Sequence, residues 1–122
     1  MAESVMLEKA IDFSVDIVNL CKEIKESHRE SVLTNQLLRS GTSIGANIHE
    51  SKYAHSSADF ISKMQIALKE CYESEYWLEL LNRTDYIEDR KYQIIRNACG
   101  SIRRMLISSI NTVKKNNGPE KE

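Results

Sequence analysis

Turn residues and long apolar runs are both scarce in this sequence. Its 122 residues include one proline and four glycines, too few for the turns of a many-stranded sandwich or barrel. The longest uninterrupted apolar run is three residues, as in Met105-Leu106-Ile107. A membrane-spanning helix needs about 20 apolar residues, and the apolar region of a secretory signal about 7–15. We therefore expect a single domain that does not associate with membranes and that resides in the cytoplasm.

The three cysteines do not form the pattern of a disulfide framework. Cys21, Cys71 and Cys99 lie far apart and include no Cys-x-x-Cys pair. An odd, unpaired set of cysteines is typical of a reducing compartment. We expect these thiols to pack in the core as small hydrophobic side chains.

The sequence also lacks a recognisable catalytic or cofactor motif. Glu-x-x-His, which di-iron helical bundles need, does not occur. His49-Glu50 begins like a zinc-protease helix, but Tyr53 stands where the second histidine should be. Gly41 and Gly45 are not followed by the Lys-Ser/Thr of a phosphate loop. Catalytic triads assemble in space, so spacing alone does not exclude one. We nevertheless expect no enzymatic activity, no metal and no cofactor.

Four apolar stripes with alternating spacings of three and four residues predict four helices. They cover residues 6–24, 33–48, 60–78 and 92–113. Such spacing keeps apolar side chains on one face of a helix, and alternating strands cannot produce it. The fourth stripe is followed by Asn117-Gly118-Pro119, a typical helix terminator.

The connections between these stripes are short, which favours antiparallel neighbours. They fall near residues 27–30, 52–56 and 83–85. Helices of this length joined by short loops predict an all-α fold, an antiparallel up-down-up-down four-helix bundle. We expect the bundle to occupy residues 1–116 and residues 117–122 to form a disordered tail.

Polar residues interrupt the apolar stripes of the second and third helices. The set consists of Arg39, Ser43, Asn47, Glu50, Glu73 and Glu75. Glu75 occupies a core position of the third helix, where a carboxylate is costly unless it is hydrogen-bonded or paired. We expect an interhelix network in which Glu75 meets Asn47, Ser43 or Arg39 and sets the register of the two helices. A ligand site and partial exposure to solvent are the alternatives.

The third helix carries more apolar surface than one bundle face requires. Beside its core stripe run Tyr72, Tyr76 and Leu80, with Trp77 next to them. Tyrosine and tryptophan are enriched in buried contact patches. We expect an oligomer interface there, with wider packing inside a single bundle as the alternative.

Charge is distributed unevenly along a chain whose net charge is −1. Residues 1–89 carry 9 Lys/Arg and 16 Asp/Glu, a net −7, whereas residues 90–122 carry 8 and 2, a net +6. The fourth helix contributes candidate phosphate contacts, namely Arg90, Lys91, Arg96, Arg103, Arg104, Lys114 and Lys115. An oligomer would multiply this cationic surface. The alternative is a solvated face partly neutralised by the acidic first and third helices.

The region from Ser31 to Leu81 resembles a known family. The segments VLTNQLLRSGTSIGANIHES and DFISKMQIALKECYESEYWLELL resemble the four-helix-bundle family of the 23S ribosomal RNA intervening-sequence proteins. The matching positions are Gln36, Leu37, Arg39, Ser43, Ile44, Ala46, Asn47, Ile48, Glu50, Phe60, Ile66, Ala67, Leu68, Glu73 and Glu75. Gly45 stands where the family often has proline, and Ser40-Gly41 replaces its frequent alanine pair.

This resemblance implies a compact bundle that assembles as a ring-like homopentamer. It also implies, for some members, a gene inside a ribosomal RNA gene. The accessory variability proteins of diversity-generating retroelements are similar; they form a pentameric barrel that binds nucleic acid and partners a reverse transcriptase. Those relatives are strongly basic, unlike this chain. Two functions follow as hypotheses: an oligomer that binds RNA or DNA, or a scaffold that recruits a protein partner.

Overall fold

The chain folds into four helices, which confirms the predicted all-α class. This computed structural model describes the backbone of residues 2–117 and the side chains of residues 4–116. The helices are α1 (Ala2–His28), α2 (Val32–Ser51), α3 (Ser57–Arg83) and α4 (Asp89–Asn117). Within this described part of the chain there is no strand. The predicted disordered tail lies outside the described residues, apart from Asn117 at the end of α4.

Each helix packs against its two neighbours in an antiparallel bundle. α1 contacts α2, α2 contacts α3, α3 contacts α4, and α4 returns to α1. No Cα atoms of the diagonal pairs, α1 with α3 and α2 with α4, lie within 8 Å of each other in the described region, so the α1/α2 face and the α3/α4 face lie on opposite sides of the bundle. The contact between α1 and α4 is the sparsest of the four.

Side chains in the loops satisfy the first N–H groups of two helices, which explains where these helices begin. At the start of α2, the Glu30 carboxylate accepts the backbone N–H groups of Leu33 at 2.7 Å and Thr34 at 2.9 Å. At the start of α3, the Ser56 hydroxyl accepts the backbone N–H of Asp59 at 3.1 Å. The Asp59 carboxylate in turn accepts the N–H of His55, so α3 begins with a reciprocal capping arrangement.

The predicted apolar stripes of α1 and α4 form the core as expected. Phe13, Ile17 and Leu106 are among the fully buried side chains. The three cysteines are also buried and unpaired, as the sequence predicts. Burial raises the pKa of Cys21 to about 11, so this thiol stays protonated at neutral pH.

The core stripe of α3 differs from the prediction at several positions: Phe60, Leu68 and Glu75, expected in the core, are only half-buried. The core positions are Met64, Ala67, Cys71, Ser74, Leu78 and Leu81. Ser74, rather than Glu75, points into the core, while Glu75 lies half-buried at the edge that faces α4. A step from Cys71 of either three or four residues continues an α-helical stripe, and the step of three keeps the carboxylate out of the core, where it would be costly.

Candidate functional site

Glu75 pairs with α4 rather than with α2. Its Oε2 atom accepts a 2.8 Å hydrogen bond from Nε of Arg103, and both side chains are largely shielded from water. The prediction that Glu75 pairs with Asn47, Ser43 or Arg39 is therefore wrong. The hydrogen bond to Glu75 raises the pKa of Arg103. The pair joins α3 to α4 and neutralises one cation of the basic helix.

Arg39 does reach α3, but it meets a different pair of carboxylates. It forms a salt bridge with Glu73, and its Nη1 atom lies 3.5 Å from Oε1 of Glu70. Glu73 also accepts a 3.0 Å hydrogen bond from the indole N–H of Trp77. An interhelix network between α2 and α3 therefore exists, as predicted, but Arg39 and Glu73 form it, without Glu75.

The remaining polar residues of the motif do not converge on a ligand pocket. The Asn47 side chain donates to the Ser43 carbonyl at 2.9 Å and to the Ser43 hydroxyl at 3.2 Å, both within α2. Glu50 pairs with Lys63 at 3.0 Å on the surface, and this hydrogen bond raises the pKa of Lys63. Among the residues that the structure describes, no group of acidic, histidine or cysteine side chains could hold a metal ion.

The seven basic residues of α4 fall into two classes. Lys91 pairs with Glu23 of α1 at 2.9 Å, and Arg103 pairs with Glu75 as described above. The other five are exposed and form no ion pair with the side chains of residues 4–116. They are Arg90, Arg96, Arg104, Lys114 and Lys115.

Arg90, Arg104 and Lys115 share the outward face of α4. The intervening residues on this face are uncharged, for example Asn97 and Ser108, and both are exposed. A single helix thus presents cations and hydrogen-bonding groups with no carboxylate between them. Such a surface suits contact with phosphates.

An aromatic residue does lie beside the basic helix, although α4 has none on its basic face. The guanidinium carbon of Arg103 lies 5.8 Å from the centre of the Tyr72 ring, a cation–π distance. Because Tyr72 belongs to α3, only the packing of α3 against α4 brings this aromatic ring to the basic helix.

The proposed subunit interface divides into exposed and half-buried residues. Tyr72 is 52% exposed and Tyr76 is 59% exposed. Trp77 packs against the core and meets the Tyr76 ring edge-on at 5.0 Å, and Leu80 is half-buried. The two tyrosines therefore form the exposed part of the predicted stripe, which we call the tyrosine ridge.

A second apolar surface, between α1 and α2, was not predicted. It is a groove of about 420 Å³ whose apolar wall comes largely from Leu7, Ile11, Val15 and Val18 of α1. Ile11 and Val15 are 45% and 52% exposed. These four residues follow one another at spacings of four, four and three along α1. The sequence therefore contained the signal, but the longer core stripe of the same helix has the same periodicity.

A family model matches most of the chain. It describes the 23S rRNA-intervening sequence protein and covers residues 2–108. The chain belongs to this family. The matched region includes all of α1, α2 and α3 and most of α4.

A solved structure supports the same assignment. The chain is similar to a protein of unknown function from the S23 ribosomal protein family of Bacteroides thetaiotaomicron VPI-5482, with 51% identity and a TM-score of 0.89. The match covers 91% of this chain and 99% of that one. No curated protein is similar to the chain in sequence. None of the helices in the described region is both long enough and apolar enough to cross a bilayer.

Proposed function

We propose that this 23S rRNA-intervening sequence protein is a non-enzymatic homo-oligomer that binds structured RNA or DNA through the outward face of α4. The observation that carries the proposal is the row of Arg90, Arg104 and Lys115, which are exposed and unpaired among the described side chains. The family's name, which refers to an intervening sequence in 23S rRNA, favours RNA as the first ligand to test.

The geometry of α4 suits a nucleic-acid backbone. Arg90 and Lys115 are separated by about 37 Å at the helical rise of 1.5 Å per residue, a length comparable to one turn of a duplex. One bundle provides few phosphate contacts, so its affinity is low. An oligomer repeats the face in every copy and raises the affinity by multivalency.

Oligomerisation is supported by the tyrosine ridge. Two neighbouring tyrosines more than half exposed form an apolar contact surface of the kind that subunits bury. We propose a pentamer, as in the ring implied by the family resemblance. The unpaired cysteines fit the reducing cytoplasm as the compartment.

Nucleic-acid binding is tested by fluorescence anisotropy with a duplex RNA and a duplex DNA of about 20 base pairs, between about 50 and 200 mM salt. The triple variant Arg90→Gln, Arg104→Gln and Lys115→Gln should lose about 10-fold or more in affinity at low salt and show a shallower salt dependence. The matched control removes Lys9, Lys22 and Lys25 of α1 in the same way and should change the affinity less than about 2-fold. Absence of binding by the unmodified protein at about 50 mM salt would overturn the proposal.

The oligomer is tested by light scattering at tens of micromolar protein. The unmodified protein should have the mass of several copies, and Tyr72→Asp with Tyr76→Asp should lower that mass without loss of helical circular dichroism. Val32→Asp, at an exposed apolar position of α2, is the control and should leave the mass unchanged. A monomeric unmodified protein would contradict the proposed assembly.

The second candidate function is a scaffold that recruits a protein partner. The tyrosine ridge favours it, because an exposed aromatic pair fits a protein surface as well as a second copy of the chain. Purification from the native host with and without nuclease separates the two functions. A partner protein retained after nuclease treatment supports the scaffold, whereas nucleic acid lost on treatment supports the first function.

A further inference from the structure

Each copy of the chain presents two unlike apolar surfaces. The first is the α1/α2 groove, to which α2 contributes Gly45, Ala46 and His49. A Cβ atom built on Gly45 would lie 3.6 Å from Ala10 and Ser14, so α1 and α2 approach each other closely beside the groove. The second is the tyrosine ridge of Tyr72 and Tyr76, which projects from α3.

These two surfaces lie on opposite sides of the bundle. Tyr72 is on the side of α3 that faces α4, because it contacts Arg103. The α3/α4 face and the α1/α2 face do not share a helix, and they lie on opposite sides of the bundle. A contact between ridge and groove within one copy is therefore impossible, whereas a contact between two copies is head-to-tail.

We propose that the tyrosine ridge of one copy docks in the α1/α2 groove of the next copy. This inference rests on the proposed homo-oligomer and adds which surfaces meet. An open head-to-tail assembly keeps one free ridge at one end and one free groove at the other, so only a closed ring buries both surfaces in all copies. A two-fold contact between ridges would instead leave every groove open to water.

The spacing of the two surfaces matches. Tyr72 and Tyr76 are four residues apart on α3, and Ile11 and Val15 are four residues apart on α1. Rows of residues at this spacing are the ridges and grooves that interdigitate in the commonest class of helix packing. Two i, i+4 rows of exposed apolar side chains can therefore pack against each other across the contact.

The helices beside the two surfaces differ in charge. Glu8 and Asp12 of α1 are exposed within one helical turn of Ile11. The ridge lies beside the basic helix α4, and Lys69 is exposed within one turn of Tyr72, although Arg103 is paired with Glu75 and Glu79 lies within one turn of Tyr76. By sequence, α1 carries six acidic and three basic residues, and α4 carries one acidic and seven basic residues. Opposite charges around an apolar contact favour the head-to-tail pairing and disfavour ridge against ridge.

A complementation experiment tests this pairing. Val15→Asp places a charge in the groove and leaves the ridge intact. Tyr72→Asp with Tyr76→Asp places charges on the ridge and leaves the groove intact. Each variant alone should be monomeric by light scattering at tens of micromolar, with unchanged helical circular dichroism. A 1:1 mixture should show the mass of a dimer, because the intact ridge of the first variant fits the intact groove of the second.

The other outcomes separate the two proposals. A mixture that stays monomeric, or a Val15→Asp variant that keeps the unmodified protein's mass, overturns the docking of ridge in groove and leaves the oligomer standing. A monomeric unmodified protein instead overturns the oligomer itself. If Val15→Asp lowers the helical signal, Ala46→Glu replaces it, since Ala46 is exposed on the α2 side of the groove; the same masses are expected.

Discussion

The hydroxyl of Ser74 on α3 donates a 2.9 Å hydrogen bond to the hydroxyl of Ser40 on α2, in the middle of the core. Both residues are fully buried, and Ser40 in turn donates to the carbonyl of Leu37 at 3.3 Å. Ser40 both accepts and donates a hydrogen bond, and Ser74 donates one, so each buried hydroxyl has a partner within the protein. This contact sets the register of α2 against α3, a role that the sequence pattern assigned to Glu75.

Removing the acceptor of this hydrogen bond should cost more than removing the donor. Ser40→Ala leaves the buried Ser74 hydroxyl without its partner and should lower the free energy of unfolding by about 1–2 kcal/mol. Ser74→Ala leaves the bond from Ser40 to Leu37 intact and should cost less. The double variant should be more stable than the sum of the two losses predicts. Urea denaturation at one fixed protein concentration measures all three, and additive losses would contradict the coupling.

The Arg103–Glu75 pair predicts a difference between two adjacent arginines. Arg103→Met leaves the half-buried Glu75 carboxylate unpaired, and we expect a loss of about 1–2 kcal/mol in unfolding free energy. Arg104→Met, at an exposed and unpaired position, is the matched control and should change stability by less than about 0.5 kcal/mol. Adding Glu75→Leu to Arg103→Met should recover most of the loss, since the unpaired charge is then gone. Equal effects of the two arginine variants would show that the pair contributes no stability.

Two glycines of α2 should respond oppositely to alanine. A Cβ atom on Gly41 would lie 3.1 Å from both Cγ atoms of Ile17, which is fully buried on α1 and stiff at its branched Cβ. Gly41→Ala should therefore destabilise the bundle by about 1 kcal/mol or more. Gly45→Ala meets nothing nearer than 3.6 Å and should stabilise by roughly 0.5–1 kcal/mol through helix propensity. Thermal and urea unfolding measure the stability of both variants. If Gly41→Ala also stabilised the protein, α1 would be able to move away from α2 without loss of packing energy, and the prediction would be wrong.

The cap of α2 predicts a dependence of stability on pH. Burial raises the pKa of Glu30, but the backbone hydrogen bonds from Leu33 and Thr34 outweigh it and hold the pKa below its ordinary value of 4.5. A lowered pKa in the folded state means that the folded protein binds fewer protons than the unfolded one. The stabilisation is therefore present above pH 4.5 and is lost as the pH falls through the folded pKa.

Glu30→Gln tests this cap. The variant should cost about 1 kcal/mol at pH 7 and progressively less below pH 4.5. Unfolding free energies measured from pH 3 to 7 give the difference between the two proteins. Glu26→Gln, at an exposed position near the end of α1, is the control. A difference between Glu30→Gln and the unmodified protein that stays constant over this range would exclude the proposed linkage.

The sequence pattern failed at particular residues for a physical reason. After Cys71, a helical stripe continues equally well at Ser74 or at Glu75, and the sequence alone does not say which side chain has a partner. The partner is Arg103, 28 residues away on α4, and it became available only when α3 packed against α4. The same packing places Tyr72 beside the basic helix. It also pairs Arg103 with Glu75, so that Arg103 is no longer an unpaired cation.

Apolar periodicity along the chain determined the four helices and the buried stripes of α1 and α4, because the contacts that stabilise a helix are local and repeat every three to four residues. The resemblance to the family came from the sequence motif between Ser31 and Leu81. Only the tertiary structure decided which of the basic residues of α4 remain unpaired and which apolar side chains remain exposed. Both depend on the angle and register at which neighbouring helices meet. The groove between α1 and α2 shows this most clearly, since Ile11 and Gly45 are distant in sequence and become one surface only when the bundle forms.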